Sequence, residues 1–278
     1  MGNKLNCNLD ERHMIDEYIN GTAVCTLMTK YGYKTKKSIT DKIKKYYPSD
    51  YTKIITLAKQ NRKKFKYNFE HINCEFDAYF VGLMLSDGYI QDQHKFGIQL
   101  TDEDAIRFIS QITAQEYHCY TSNNETHKPF YRIIFSDAAQ CAALQRYGIV
   151  PNKSKIISPP KLFADEIPYI PYIIRGLIDG DGCIYQTSDG SPAFYICTMS
   201  YEFAVWIKQI LEQNLHMDDI SIHQRHYGIW IVETALQTNL FKLIALVYNK
   251  PFGMMRKYDY LRKTFRDYNS GNPLFLLD

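Results

Sequence analysis

A short stretch occurs twice in this chain, and it constrains the fold more than any other feature. Residues 80–88 read FVGLMLSDG and residues 174–182 read IRGLIDGDG, so Gly82, Leu83, Asp87 and Gly88 recur as Gly176, Leu177, Asp181 and Gly182. Each copy is an apolar run with small residues four apart, Gly82 and Ser86 in one, Gly176 and Gly180 in the other. Four-residue spacing places them on one helical face, where two backbones can touch. Each run then ends in an acid and a glycine. A carboxylate at a helix C-terminus faces the negative end of the dipole and is disfavoured there by ~0.3–1 kcal/mol. Two such acids brought together by helix packing repel each other, and a cation is expected between them.

The chain has 278 residues, 45% of them hydrophobic, enough for two domains or one large pseudo-symmetric one. Seven cysteines, at positions 7, 25, 74, 119, 141, 183 and 197, form no CxxC pair, which argues against a disulfide framework and a zinc site and for a reducing compartment. No signal-like or membrane-spanning apolar segment is evident, so an intracellular protein is expected, with cytoplasm, nucleus and organelle undistinguished. The formal net charge of +3 is unevenly spread: residues 1–66 hold 15 Lys/Arg against 6 Asp/Glu. Such a basic front suits a module that meets a polyanion, or a solvated lysine face.

Along residues 1–47, three short helices are expected, over 9–19, 22–30 and 35–46, with glycine-marked turns at Gly21 and Gly32. Ile39 and Ile43 would face inward and the lysines outward, as in a helix-turn-helix, with Lys36 and Lys37 opening the recognition helix. Residues 48–72 are read as a basic linker containing one helix. From 73 the first motif helix leads into a hairpin, a helix, two strands and a helix, and the second motif helix starts the same series again. The expected fold class is α+β, a pseudo-twofold duplicated αββαββα unit (73–160 and 161–278) behind a small helical domain.

VGLMLSDG and RGLIDGDG, with their separation and the element order after each, resemble the LAGLIDADG homing endonucleases in their single-chain, two-motif form, over roughly residues 73–268. The resemblance implies that the motif helices pack centrally and that Asp87 and Asp181 bind divalent metal, Mg²⁺ or Mn²⁺, beside scissile phosphates. The backbone carbonyls of Ser86 and Gly180 are implied as further metal ligands. Leu85 replaces the first acid of the family pattern, present in the second copy as Asp179. The family carries a lysine toward the end of each repeat; in GIVPNKSK and FGMMRKYDY these are Lys153 and Lys257, with Lys155 and Arg256 as the nearest substitutes. Mg²⁺ held by hard oxygen ligands suits phosphodiester hydrolysis, because it activates water and stabilises a leaving oxygen.

Relatives read the major groove with alternate sheet residues, which points here to Gln91, Gln93, Lys95 and Gln99 in the first half and to Gln186, His223, Gln224 and Arg225 in the second. The function expected is a metal-dependent double-strand break in a long DNA site, associated with intron mobility and made by a monomer acting on double-stranded DNA, with no membrane involved. Two alternatives stand beside it, a non-cleaving DNA-binding regulator and a maturase whose partner is intron RNA.

Overall fold

The computed structural model describes residues 4–22, 24–62, 67–121 and 128–269. The chain divides into two compact units, Met1–Lys66 and Tyr67–Asp278.

The first unit contains four described helices: α1 (Lys4–Ile19), α2 (Val24–Tyr31), α3 (Lys36–Tyr46) and α4 (Tyr51–Arg62). Met14, Ile15 and Tyr18 of α1 meet Leu27, Ile39, Ile43, Ile54 and Ala58 in one buried cluster. The spacing of Ile39 and Ile43 builds one apolar stripe on α3. Thr35 caps that helix, its hydroxyl accepting from the Ser38 N–H, and Gly32 at φ +70° makes the turn before it. Glu11 ties α1 to α3, accepting from Lys42 Nζ at 2.5 Å and from the Tyr46 hydroxyl at 2.7 Å.

Residues 48–72, expected as a linker, divide between the units instead. Ile54 and Ala58, four apart on α4, complete the first core, and Asn61 Nδ2 donates to the Ile19 carbonyl at 2.6 Å. Tyr67–Ile72 joins the second unit: Phe69 stacks on Phe80 with ring centres 4.1 Å apart, and the Ile72 N–H donates to Glu166 at 2.9 Å. The linker positions Lys63, Lys64, Phe65 and Lys66 lie outside the described residues.

The second unit has the expected α+β duplication. Its first half runs α5 (Glu75–Ser86), β1 (Gly88–Asp92), β2 (Lys95–Leu100), α6 (Glu103–Thr113), β3 (Tyr117–Tyr120), β4 (Phe130–Ser136) and α7 (Ala138–Gln145). The second runs α8 (Ile170–Asp181), β5 (Gly182–Gln186), β6 (Pro192–Thr198), α9 (Tyr201–Gln213), β7 (Ser221–Gln224), β8 (Trp230–Thr234) and α10 (Gln237–Lys242), which continues as a π-turn over Leu243–Val247. A further helix, α11 (Met255–Tyr268), was not anticipated.

Each half builds a four-stranded antiparallel sheet of matching order, β1-β2-β4-β3 and β5-β6-β8-β7. Phe96, Ile98, Ile133 and Phe135 point to the core of the first half; Phe194, Ile196 and Val232 do so in the second. The residues alternating with them face away from the core. Among the described residues no helix is long and apolar enough to cross a membrane.

Candidate active site

The two motif helices meet backbone to backbone. A Cβ at Gly82 would lie 2.2 Å from the Ile173 carbonyl oxygen, and one at Gly176 2.4 Å from that of Tyr79. At the next turn a Cβ on Gly180 would lie 2.0 Å from Ser86 Oγ and 3.0 Å from Asp87 Oδ2. The small-residue face read from the sequence is therefore a seam that any larger side chain would force apart, and it brings both motif ends together.

Asp87 caps the C-terminus of α5 and Asp181 ends α8. Both line a cleft of about 420 Å³ with Ser86, Gly88, Lys153 and Cys197. Desolvation and the facing Asp181 carboxylate push the Asp87 carboxyl up to about 6, against the pull of Lys153 and Lys257. Asp181, although its surface opens to solvent, is also raised by desolvation, with the same two lysines opposing. The cation anticipated near the two acids is thus present as lysine.

Lys153 and Lys257 are both buried, each 7% exposed, and burial lowers the pKa of each. Lys153 sits in a short 3₁₀ turn, Lys153–Lys155, and donates to the Ser86 carbonyl at 2.7 Å. Lys257 projects from the first turn of α11 and donates to the carbonyls of Ile178 and Asp179 at 2.6 Å and of Gly182 at 2.8 Å. The alternatives are placed elsewhere: Lys155 is exposed, and Arg256 forms an ion pair with Asp102 at 2.5 Å.

Asp179, which has no counterpart acid in the first copy, is fully buried and structural. It accepts from the hydroxyls of Tyr79 (2.9 Å) and Tyr248 (2.7 Å) and from the Met254 N–H (3.0 Å). One turn earlier, fully buried Arg175 stacks over Phe252 at 3.8 Å and donates to the carbonyls of Lys250, at 2.6 Å, and Phe252.

Of the residues expected to read DNA, Lys95 and Gln99 lie on the outward face of the first sheet, and Gln91 lies at the exposed end of β1. Gln93 is exposed in the β1–β2 turn. His223 and Arg225 gather around Glu233 at 3.7 and 4.0 Å, with Arg225 over the Tyr195 ring at 5.3 Å. Gln186 and Gln224 follow the alternation of Ile184 and Ile222, so they leave the sheet on the core side and are exposed only at strand ends. Lys36 and Lys37, in the first unit, are exposed in the first turn of α3.

Two residues were missed. Arg132 donates to Gln99 Oε1 at 3.1 and 2.6 Å and stacks over Tyr120 at 5.0 Å; its alternation with Ile133 and Phe135 was the available signal. Cys197, on the outward face of β6, donates its thiol to the Asp181 carbonyl at 2.9 Å, a contact no local pattern announces.

The donor set fits a hard divalent cation. Two carboxylates with raised proton affinity converge without closing an ion pair of 4.0 Å or less among the described residues. No three His, Cys, Asp or Glu side chains gather among the described residues. Two carboxylates are the number that Mg²⁺ takes when water and phosphate complete its shell. The Ser86 carbonyl, which the resemblance implies as a ligand, accepts a hydrogen bond from Lys153.

No family model matches the chain, and no curated protein matches it. Solved structures similar to it include the LAGLIDADG meganuclease I-AabMI bound to uncleaved DNA, with 10% identity over 69% of this chain and 91% of that one, at a TM-score of 0.45. The I-LtrWI LAGLIDADG homing endonuclease bound to target DNA has 11% identity over 73% and 92%, at 0.45. Full-length DUF199/WhiA from Thermatoga maritima has 9% identity over 74% and 66%, also at 0.45. At one residue in ten identical, the chemistry has to be read from this chain's own residues.

Proposed function

We propose that the chain is a site-specific DNA endonuclease of the LAGLIDADG homing type, making a metal-dependent double-strand break in a long duplex target. The observation that carries this reading is the convergence of Asp87 and Asp181, at the ends of the two motif helices, in one cleft with Lys153. A protein that only binds DNA has no physical use for two desolvated carboxylates there, because they repel phosphate. Mg²⁺ or Mn²⁺ bound there would supply charge for the scissile phosphate and lower the pKa of an attacking water. Asp87 and Asp181, at the two helix ends, would hold the cation. Lys153 adds positive charge where a phosphate gains negative charge, and Lys257 holds the end of the helix that carries Asp181 through its bonds to the Ile178, Asp179 and Gly182 carbonyls.

Lys95, Gln99, Arg132, His223 and Arg225, on the outward sheet faces, suit contacts to base edges and phosphates, and Lys36 and Lys37 suit phosphate contacts by the first unit. One chain supplies both motif copies, so a monomer suffices. The exposed lysines at the start of α3, after the turn at Gly32, also favour a second reading, a DNA-binding regulator that does not cut.

The two are separated by incubating purified protein, with Mg²⁺ or with EDTA, with a DNA library carrying its own locus and the uninterrupted allele. Mg²⁺-dependent double-strand cutting at one site is expected; tight specific binding without cutting would leave the regulator. Asp87→Asn and Asp181→Asn should each lose double-strand cleavage by about 10²-fold or more while retaining binding in Ca²⁺, as expected for groups that act on developing charge.

A further inference from the structure

Lys153 and Lys257 close the two repeats, yet their ammonium groups are spent differently. An ammonium has three N–H donors. Those of Lys257 go to three backbone carbonyls in the last turn of α8 and just beyond it. The cavity Lys257 lines, with Gly180, Gly182, Arg256 and Tyr260, includes neither Asp87 nor Asp181. Lys153 makes one hydrogen bond among the described residues, to the Ser86 carbonyl, and lines the cleft that holds both acids. Its other two donors have no hydrogen-bond partner among the described residues, both carboxylates act on its charge through space, and its four-carbon stem is flexible.

We infer that Lys153 is the resident counter-ion of the Asp87–Asp181 pair in the cation-free protein and yields that place to a divalent cation, whereas Lys257 is a positioning residue that clamps the end of α8 and aims Asp181. This deepens the metal-site part of the proposed function and rests on it. An ammonium and a divalent cation drawn to the same two carboxylates compete, so the lysine of the first half opposes metal loading. The charge of the second-half lysine also acts on both acids, but that lysine assists loading because its three bonds fix the carbonyls at the end of α8 that carries Asp181. The duplicated site is therefore unequal in its two halves.

Calorimetric titration of the DNA-free, EDTA-stripped full chain with Ca²⁺, together with thermal melting, tests the assignment through effects of opposite sign. Lys153→Met should bind Ca²⁺ about five- to tenfold tighter than the wild type, the scale of one unit charge facing a divalent ion across several ångströms of water-like dielectric. Lys257→Met should bind it about tenfold or more weakly, as when a group orienting a metal ligand is removed, and should melt lower without any metal. If Lys257→Met does not fold, Lys257→Arg is measured. It keeps the charge, but its planar fork cannot address three carbonyls around one point, so weaker Ca²⁺ binding is again expected.

Weaker Ca²⁺ binding by Lys153→Met, or wild-type affinity in Lys257→Met or Lys257→Arg, overturns the assignment. A wild-type chain that binds no Ca²⁺ overturns it together with the metal site. A chain that binds Ca²⁺ in the expected order of affinities but cuts no DNA upholds it and sinks only the endonuclease reading.

Discussion

Two carboxyl groups, Asp87 and Glu166, show how burial acts with and without partners. Burial and Asp181 raise Asp87 from 3.8 to about 6. The folded state therefore holds this proton more tightly than the unfolded chain does; the favourable contribution is full below 3.8 and is lost as pH rises through about 6. Cation binding needs the ionised form, so the gain in melting temperature on adding Ca²⁺ should shrink below about pH 6, by up to tenfold in affinity per pH unit.

Burial alone would raise Glu166 too. The Arg146 guanidinium, paired at 2.7 Å, and the N–H groups of Ile72 and Phe163 instead bring it from 4.5 to about 2. Its stabilisation is present above 4.5 and is lost as pH falls through about 2. Glu166→Ala leaves Arg146 without its carboxylate and should cost roughly 3–5 kcal/mol in denaturant unfolding, the range for breaking a buried pair.

At the level of elements, α5 and α8 leave no room for a methyl group. Gly176→Ala places Cβ against the Tyr79 carbonyl and the Leu83 nitrogen, both backbone atoms, so the helices must separate. A loss of roughly 1–3 kcal/mol or more is expected, as for other overpacked cores, readable as a lower melting temperature. This seam was legible in the sequence because small residues at a helical spacing occurred twice. The αββαββα order was legible for a related reason, since strand alternation and helix periodicity recur in the same sequence after each motif.

What escaped were elements whose buried positions carry polar residues. In α11 the inward stripe is Lys257, Leu261, Thr264 and Phe265, so a lysine and a threonine disguise a core-facing helix. In α8, a helix that was expected, buried Arg175 is likewise polar: its terminal nitrogens donate to carbonyls 75 and 77 positions away, while its Nε has no partner among the described residues. That Gln186 and Gln224 leave the sheet on the core side was not legible, because strand ends expose both faces of a sheet and composition does not tell which face a polar residue leaves from.

Across the whole molecule, two units carry separate cores, Met14 through Ala58 in one and Phe69 through Phe265 in the other. A chain lacking residues 1–66 should fold with a cooperative transition of its own. Its DNA binding should be weaker, with a flatter dependence of log K on log salt, by about 0.9 for each phosphate that is no longer neutralised; unchanged affinity would make the first unit a protein-interaction module.

The seam between α5 and α8 has a consequence for pairing. Gly82 nests against Ile173 and Gly176 against Tyr79 almost reciprocally, as across a dimer axis. The polar ties are one-sided, however: Arg175 and Asp179 stand where the first motif has Val81 and Leu85. Two copies of the first half would meet without an acid to receive the Tyr79 hydroxyl, and two copies of the second would bury Asp179 without that tyrosine. Each half is thus a mate for the other and a poor mate for itself, so fragments of the chain mixed in solution should reassemble as unlike pairs.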